Sequence, residues 1–172
     1  MKQNSISISV ADWDRSRPVE SFKAFAGQIH QQAKDTLIHD ASHAEMYFFL
    51  GVGGSGQIML WRSNDRDSEA LWLRQHIAAH YIYGVVHVTE AWMRLARGAD
   101  DPLFQQVMAG EKRISELPPS ERKEVLMVSA QSRDGWAMSW SDEILRDADG
   151  KPLLGACHEV ADFEGRFGKL FG

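Results

Sequence analysis

Two short apolar runs, Met46-Tyr47-Phe48-Phe49-Leu50 and Gln57-Ile58-Met59-Leu60-Trp61, stand on either side of Gly51-Val52-Gly53-Gly54-Ser55-Gly56. Each run is too short for a helix, and the glycine-rich connection lets the chain reverse at once, so the pair reads as an antiparallel hairpin. This commits the chain to a sheet. The same glycines carry the letters Gly-x-Gly-x-x-Gly. A dinucleotide fingerprint needs a helix N-terminus directly after them to hold phosphate, and here a strand follows.

The remaining periodicities fit around that hairpin. Ser5-Ile6-Ser7-Ile8-Ser9-Val10 alternates as a short strand or arm. Pro18 opens a helix over 18–39, with Phe22, Phe25, Ala26, Ile29, Ala33 and Leu37 on one stripe. A second helix over 67–82 is capped between Asp65 and Ser68, buries Leu73, Ile77 and Tyr81, and ends at Gly84. A strand then runs from Val85 to about Leu95, and three more cover 123–132, 135–147 and 152–164, with Asp147-Ala148-Asp149-Gly150 as a hairpin turn. Between them an excursion over 97–122, punctuated by Pro102, Gly110 and Pro118-Pro119, is long enough to be a lid, a binding loop or a partner contact. The expectation is a single α+β domain over 1–172: a mostly antiparallel sheet of about six strands with two main helices packed on one side. Only the helical crossover before Gly84 permits a parallel pair.

A net charge of −5 without any Lys/Arg run argues against nucleic acid as a partner. No apolar run reaches the ~20 residues of a membrane span, and the first residues alternate rather than form a signal core. The one cysteine, Cys157, excludes an internal disulfide and a cysteine zinc cage, so the expected setting is soluble and cytoplasmic with no cofactor.

The strand at Gly84–Met93 holds the most informative residue. Glu90 shares a face with Val86, Val88 and Trp92, while His87 and Thr89 take the other. If the valines face the core, Glu90 is a carboxylate near an apolar interior. It is then held by an arginine such as Arg62, Arg122 or Arg146, or stands at a strand end already reaching solvent, or serves as a catalytic group with His76, His80 or His87. His76 and His80 stack four apart on the second helix, a spacing compatible with metal, with Glu90 as a conceivable third ligand. They read His-Ile-Ala-Ala-His, without the glutamate of a zincin, so two ordinary edge histidines are preferred and no stoichiometric metal is expected. Cys157 lacks a base on its own strand face, because His158 points the other way.

The run Val86-His87-Val88-Thr89-Glu90-Ala91-Trp92, the proline-containing interlude, Arg122-Lys123-Glu124-Val125-Leu126 and the later Ile144-x-Arg146-Asp147 resemble a pattern in uncharacterised bacterial and prophage-associated proteins. The resemblance spans about 80–150. It implies no activity, and it directs attention to Glu90, Trp92, Arg122 and Glu124. The reading is therefore a non-enzymatic interaction or ligand-binding domain, whose partner is a second copy, another protein or a small molecule. The alternative is a small hydrolase-like or metal-dependent enzyme using Glu90 with nearby histidines. Four apolar residues in the last segment, Ala161 to Phe171, must either pack on their own domain or meet another copy in a homodimer.

Overall fold

The computed structural model describes residues 5–60, 65–98, 100–161 and 170–171. Along them run β1 (Ser5–Ser9), α1 (Pro18–Asp40), β2 (Met46–Gly51), β3 (Ser55–Leu60), α2 (Arg66–Ala79), β4 (Ile82–Met93), α3 (Pro102–Met108), β5 (Lys123–Ser132), β6 (Ala137–Arg146) and β7 (Pro152–Ala161). The strands form one sheet in the order β1-β3-β2-β4-β5-β6-β7, and every neighbouring pair is antiparallel. This is the α+β class read from the sequence, with seven strands rather than six. The extra strand is β1, which pairs with β3 from Ser5 opposite Met59 to Ser9 opposite Ser55.

The glycine connection is a hairpin. Gly54 N–H returns to the Gly51 carbonyl at 3.0 Å, and Gly54 sits at φ +79 with Trp13 packed where a side chain would be. Left-handed backbone and an occupied Cβ position together require glycine there.

The helices pack on opposite faces, which corrects the one-sided layering. α1 lays Phe22, Ala26, Ile29, Ala33 and Leu37 on the front face, against Leu50, Val86, Val88, Leu126, Val128 and Ala130. α2 sets Leu73 and Ile77 on the back face, against Tyr47, Phe49, Met59, Ile82 and Val85. The crossover from β3 through α2 to β4 passes over β2, so the two strands it joins are not neighbours and no parallel pair forms. A strand covered on both faces reads as an unbroken apolar run instead of an alternating one. Tyr47-Phe48-Phe49-Leu50 is such a run, buried at all four positions.

Boundaries follow local chemistry. Asp65 accepts from Asp67 N and Ser68 N at 3.1 and 3.2 Å, so α2 starts where the cap was read. α2 ends at Ala79 and β4 begins at Ile82, two residues before Gly84. Gly84 is therefore a strand residue rather than a helix stop. A Cβ there would lie 2.4 Å from the Phe22 ring, so its glycine is what lets α1 approach the sheet. Trp136 and Trp140 pack on the front cluster, with Phe22 and Trp136 edge to face at 5.8 Å. Of the C-terminal segment, 162–169 lies outside the described residues. Leu170 is buried in the back cluster and Phe171 packs against it, so these two apolar side chains are covered by their own domain.

Candidate functional site

The residues singled out by the sequence gather at one end of the front face. Glu90, Trp92, Glu124 and Arg146 lie on strands β4, β5 and β6 in the phase of the front core, since Glu90 is paired with Leu126 and Trp92 with Glu124. Arg146 Nη2 binds Glu124 Oε1 at 2.5 Å and its Nε binds Oε2 at 3.1 Å, a two-pronged pair. Arg122 places its guanidinium 4.1 Å from the centroid of the Trp92 ring and donates to the Ser115 carbonyl. Glu90 is half-buried rather than largely buried. It accepts from the main-chain N–H of His43 and, among the described residues, from no imidazole or guanidinium; Arg62, one of the arginines considered for it, lies outside them. Its charge still adds to the field that raises the Arg146 pKa, behind the larger effect of the Glu124 hydrogen bond.

The excursion beside this end is held by a buried ion network. Arg94 grips both oxygens of Asp101 at 2.7 and 2.6 Å and also binds Glu121. The side chains of Arg94 and Asp101 are only 5% and 4% exposed. Asp101 further accepts from Arg97 N at 3.0 Å and from Leu103 N and Phe104 N at 3.1 Å, which caps α3. These donors hold the Asp101 carboxyl far below the ordinary range, the Arg94 bond being the largest cause.

The histidines are not assembled around Glu90. His87 points to the back face, where its ring stacks on Tyr47 at 4.2 Å and Nε2 lies 2.9 Å from Glu45 Oε1. Tyr47 in turn donates to the buried Glu69 at 2.8 Å. His76 and His80 come together on α2 with ring centroids 4.4 Å apart, beside Phe49 and Trp72. They border a back-face cleft of about 400 Å³ that also touches Ser7, Gln57 and Ile82. Burial first, and the neighbouring His80 second, lower the pKa of His76.

A third grouping was not visible from spacing in the sequence. His30 of α1, Asp142 of β6 and Cys157 of β7 bring Nε2, a carboxylate oxygen and Sγ within 4.8 Å of one another. His30 Nε2 lies 2.5 Å from Asp142 Oδ2, Lys34 Nζ is 3.7 Å from Oδ1, and Trp140 stacks beneath the His30 ring at 5.1 Å.

The chain matches no known protein family, no curated protein and no solved structure.

The three groupings differ in the chemistry they permit. At Asp142, burial alone would raise the carboxyl pKa, but the His30 bond and charge, the Cys157 thiol and Lys34 together hold it low. Although Cys157 as a residue is exposed, desolvation of its thiol where it meets Asp142, and then its donation to that carboxylate, push the thiol up to about 11. In a thiol protease the base takes the proton from sulfur and the carboxylate stands behind the base. Here the carboxylate stands between the two, so the thiol is quenched. The Glu90 end presents paired charges, an exposed indole and an arginine, which is the chemistry of recognition.

Proposed function

We propose that this chain is a non-enzymatic interaction domain whose contact surface is the excursion end of the sheet, and that its partner is a protein. The observation that carries the reading is a contradiction in ordinary folding terms. A segment of more than twenty residues is fastened down by the Arg94–Asp101–Glu121 network, yet the surface it forms with the end of β4 keeps large apolar groups turned outward, Met108 within the segment and Trp92 and Leu95 beside it. Trp92, Leu95 and Met108 are 42%, 53% and 71% exposed. Burying a charged network costs desolvation, which a loop with no task has no reason to bear. A pre-ordered surface loses little further entropy on docking, and so binds more tightly for the same contacts.

The composition supports a protein partner. Tryptophan and arginine are enriched at the points that carry binding energy, and Arg122 stacked on Trp92 supplies both in one rigid unit. Opposite charges alternate there, Arg122 and Arg146 against Glu90 and Glu124, which suits a partner of mixed charge, including a second copy of the chain. No specific observation favours an enzyme built on Glu90, since Glu90 and His87 face opposite sides of the sheet.

A photo-crosslinking residue at Met108 or Trp92 tests this, with Gln32 on the exposed side of α1 as the control position. In extract of the source cells, 108 and 92 are expected to give one discrete adduct that 32 does not. The same adduct from purified protein identifies the partner as a second copy. Adducts at 108 and 92 no stronger than at 32 overturn the reading.

A further inference from the structure

We propose that His30, Asp142 and Cys157 form a site for one transition-metal ion of the zinc class, bound through Nε2, Oδ2 and Sγ with a fourth position left to water. The juxtaposition is built by the fold and does not depend on the excursion surface. Asp142 and Cys157 are direct partners across β6 and β7. They are partners only because the register shifts there. Ile144 faces Leu154, and regular antiparallel pairing would set Ala156 opposite Asp142. The irregularity between Asp142 and Ile144 brings Cys157 into that place instead. Such register breaks re-aim side chains and cluster beside functional sites.

The dimensions suit a tetrahedral ion. Bonds of about 2.0–2.1 Å to nitrogen and oxygen and about 2.3 Å to sulfur place ligand atoms about 3.3–3.7 Å apart. All three atoms already lie within 4.8 Å, with His30 and Asp142 at 2.5 Å. An ion enters when that short contact opens by about 1 Å and the sulfur closes by a similar distance, both within reach of side-chain rotation. Trp140 fixes the plane of the imidazole meanwhile.

Ligand type narrows the ion. A thiolate with an imidazole and one carboxylate selects zinc-like ions and disfavours magnesium and calcium. Thiolate and carboxylate together neutralise the dication, the thiol proton leaving to solvent and the remaining imidazole proton sitting on Nδ1. Asp142 is almost wholly buried, whereas Cys157 is exposed, so the open position faces water. Lys34 takes the other carboxylate oxygen, Oδ1, and as a nearby positive charge it restrains affinity. Glu159, whose charge reaches Cys157, acts in the opposite sense.

The test uses the full chain, stripped with chelator and titrated with Co(II), followed by Zn(II) competition. One cobalt per chain is expected, with tetrahedral visible bands and a thiolate-to-cobalt charge-transfer band that zinc abolishes. Cys157→Ser or His30→Ala should weaken zinc binding by more than about 100-fold, Lys34→Met should tighten it, and His76→Ala should leave it unchanged. Absence of stoichiometric binding, or loss of binding with His76→Ala in place of His30→Ala, overturns the site. Should Cys157→Ser fail to fold, the wild-type spectrum decides alone. The chain has one cysteine, so a thiolate band can come only from Cys157, and a cobalt complex without that band refutes the proposal.

Discussion

Replacing Glu90 by glutamine separates a structural carboxylate from a functional one. Glu90 accepts from the His43 N–H in the short connection between α1 and β2, just beyond Ala41, which holds a left-handed φ of 62. The carboxylate therefore fastens the exit from the main helix to the central strand β4. Glutamine keeps the acceptor oxygen and removes the charge. A hydrogen bond to a charged group contributes about 1.5–3 kcal/mol and a neutral one about 0.5–1.5, so the change costs about 1 kcal/mol. Loss of attraction to Arg146 adds little, because that arginine keeps its two bonds to Glu124. Alanine goes further and strands the His43 N–H, at about 1–3 kcal/mol, with the lower part of that range expected because Glu90 is half-buried and water can reach the gap. In a chain of this size about 1 kcal/mol moves the melting temperature by about 2–4 °C. Differential scanning calorimetry of wild type, Glu90→Gln and Glu90→Ala should give that order of falling stability. A Glu90→Gln protein that melts at or above wild type refutes the argument, and marks a carboxylate retained at a cost to stability for a task the hydrogen bond does not reveal.

Three further outcomes follow from individual contacts. Gly84→Ala should cost about 1–3 kcal/mol by forcing a methyl into the Phe22 ring, and the cost should shrink in a Phe22→Leu background; additive losses in denaturant melts would remove the close approach as the cause. Because the folded pKa of His76 is depressed below 6.5, the unfolded chain binds the proton more readily. Its contribution is complete above pH 6.5 and is lost as the pH falls below it, so stability between pH 7.5 and 5.5 should decline less steeply in His76→Gln than in wild type. With its thiol moved from 9.0 to about 11, Cys157 at pH 8 carries about 100-fold less thiolate than in the unfolded chain. Disulfide-reagent kinetics should be slow in the folded protein and faster in Asp142→Asn, and equal folded and unfolded rates would contradict the Asp142 contact.

Much of the fold was legible because local signals agreed with one another. The stripe Phe22 to Leu37 marked α1, Asp65 marked the start of α2, and the glycine hairpin and Asp147–Gly150 turn fixed two antiparallel pairs. The faces of the sheet were legible in part. Period-2 counting correctly put Glu90 and Trp92 with Val86 and Val88, and His87 on the other side. It did not assign the helices to faces, since that depends on which strand a crossover passes. The signal was present in Tyr47-Phe48-Phe49-Leu50, which does not alternate because both sides are covered. Glu90's partner was missed for a different reason: a main-chain N–H is offered by every residue but proline, so no side chain in the sequence announces it.

The His30–Asp142–Cys157 grouping lay beyond sequence reading for a reason that also strengthens it. Counting by twos along β7 from Leu154, which packs on the front cluster, assigns Cys157 to the back face. The register shift beside Asp142 reverses that assignment for the rest of the strand, and it also sends His158 to the back, where it lies 3.2 Å from Glu143. A one-residue slip in an ordinary strand would carry apolar side chains into water and be selected against. Here it is tolerated because β7 is an edge strand with little to lose: Leu153 and Val160 are each 50% exposed. The fold thus places its one thiol, a buried carboxylate and an imidazole at a single front-face position through an irregularity that the hydrophobic pattern did not require.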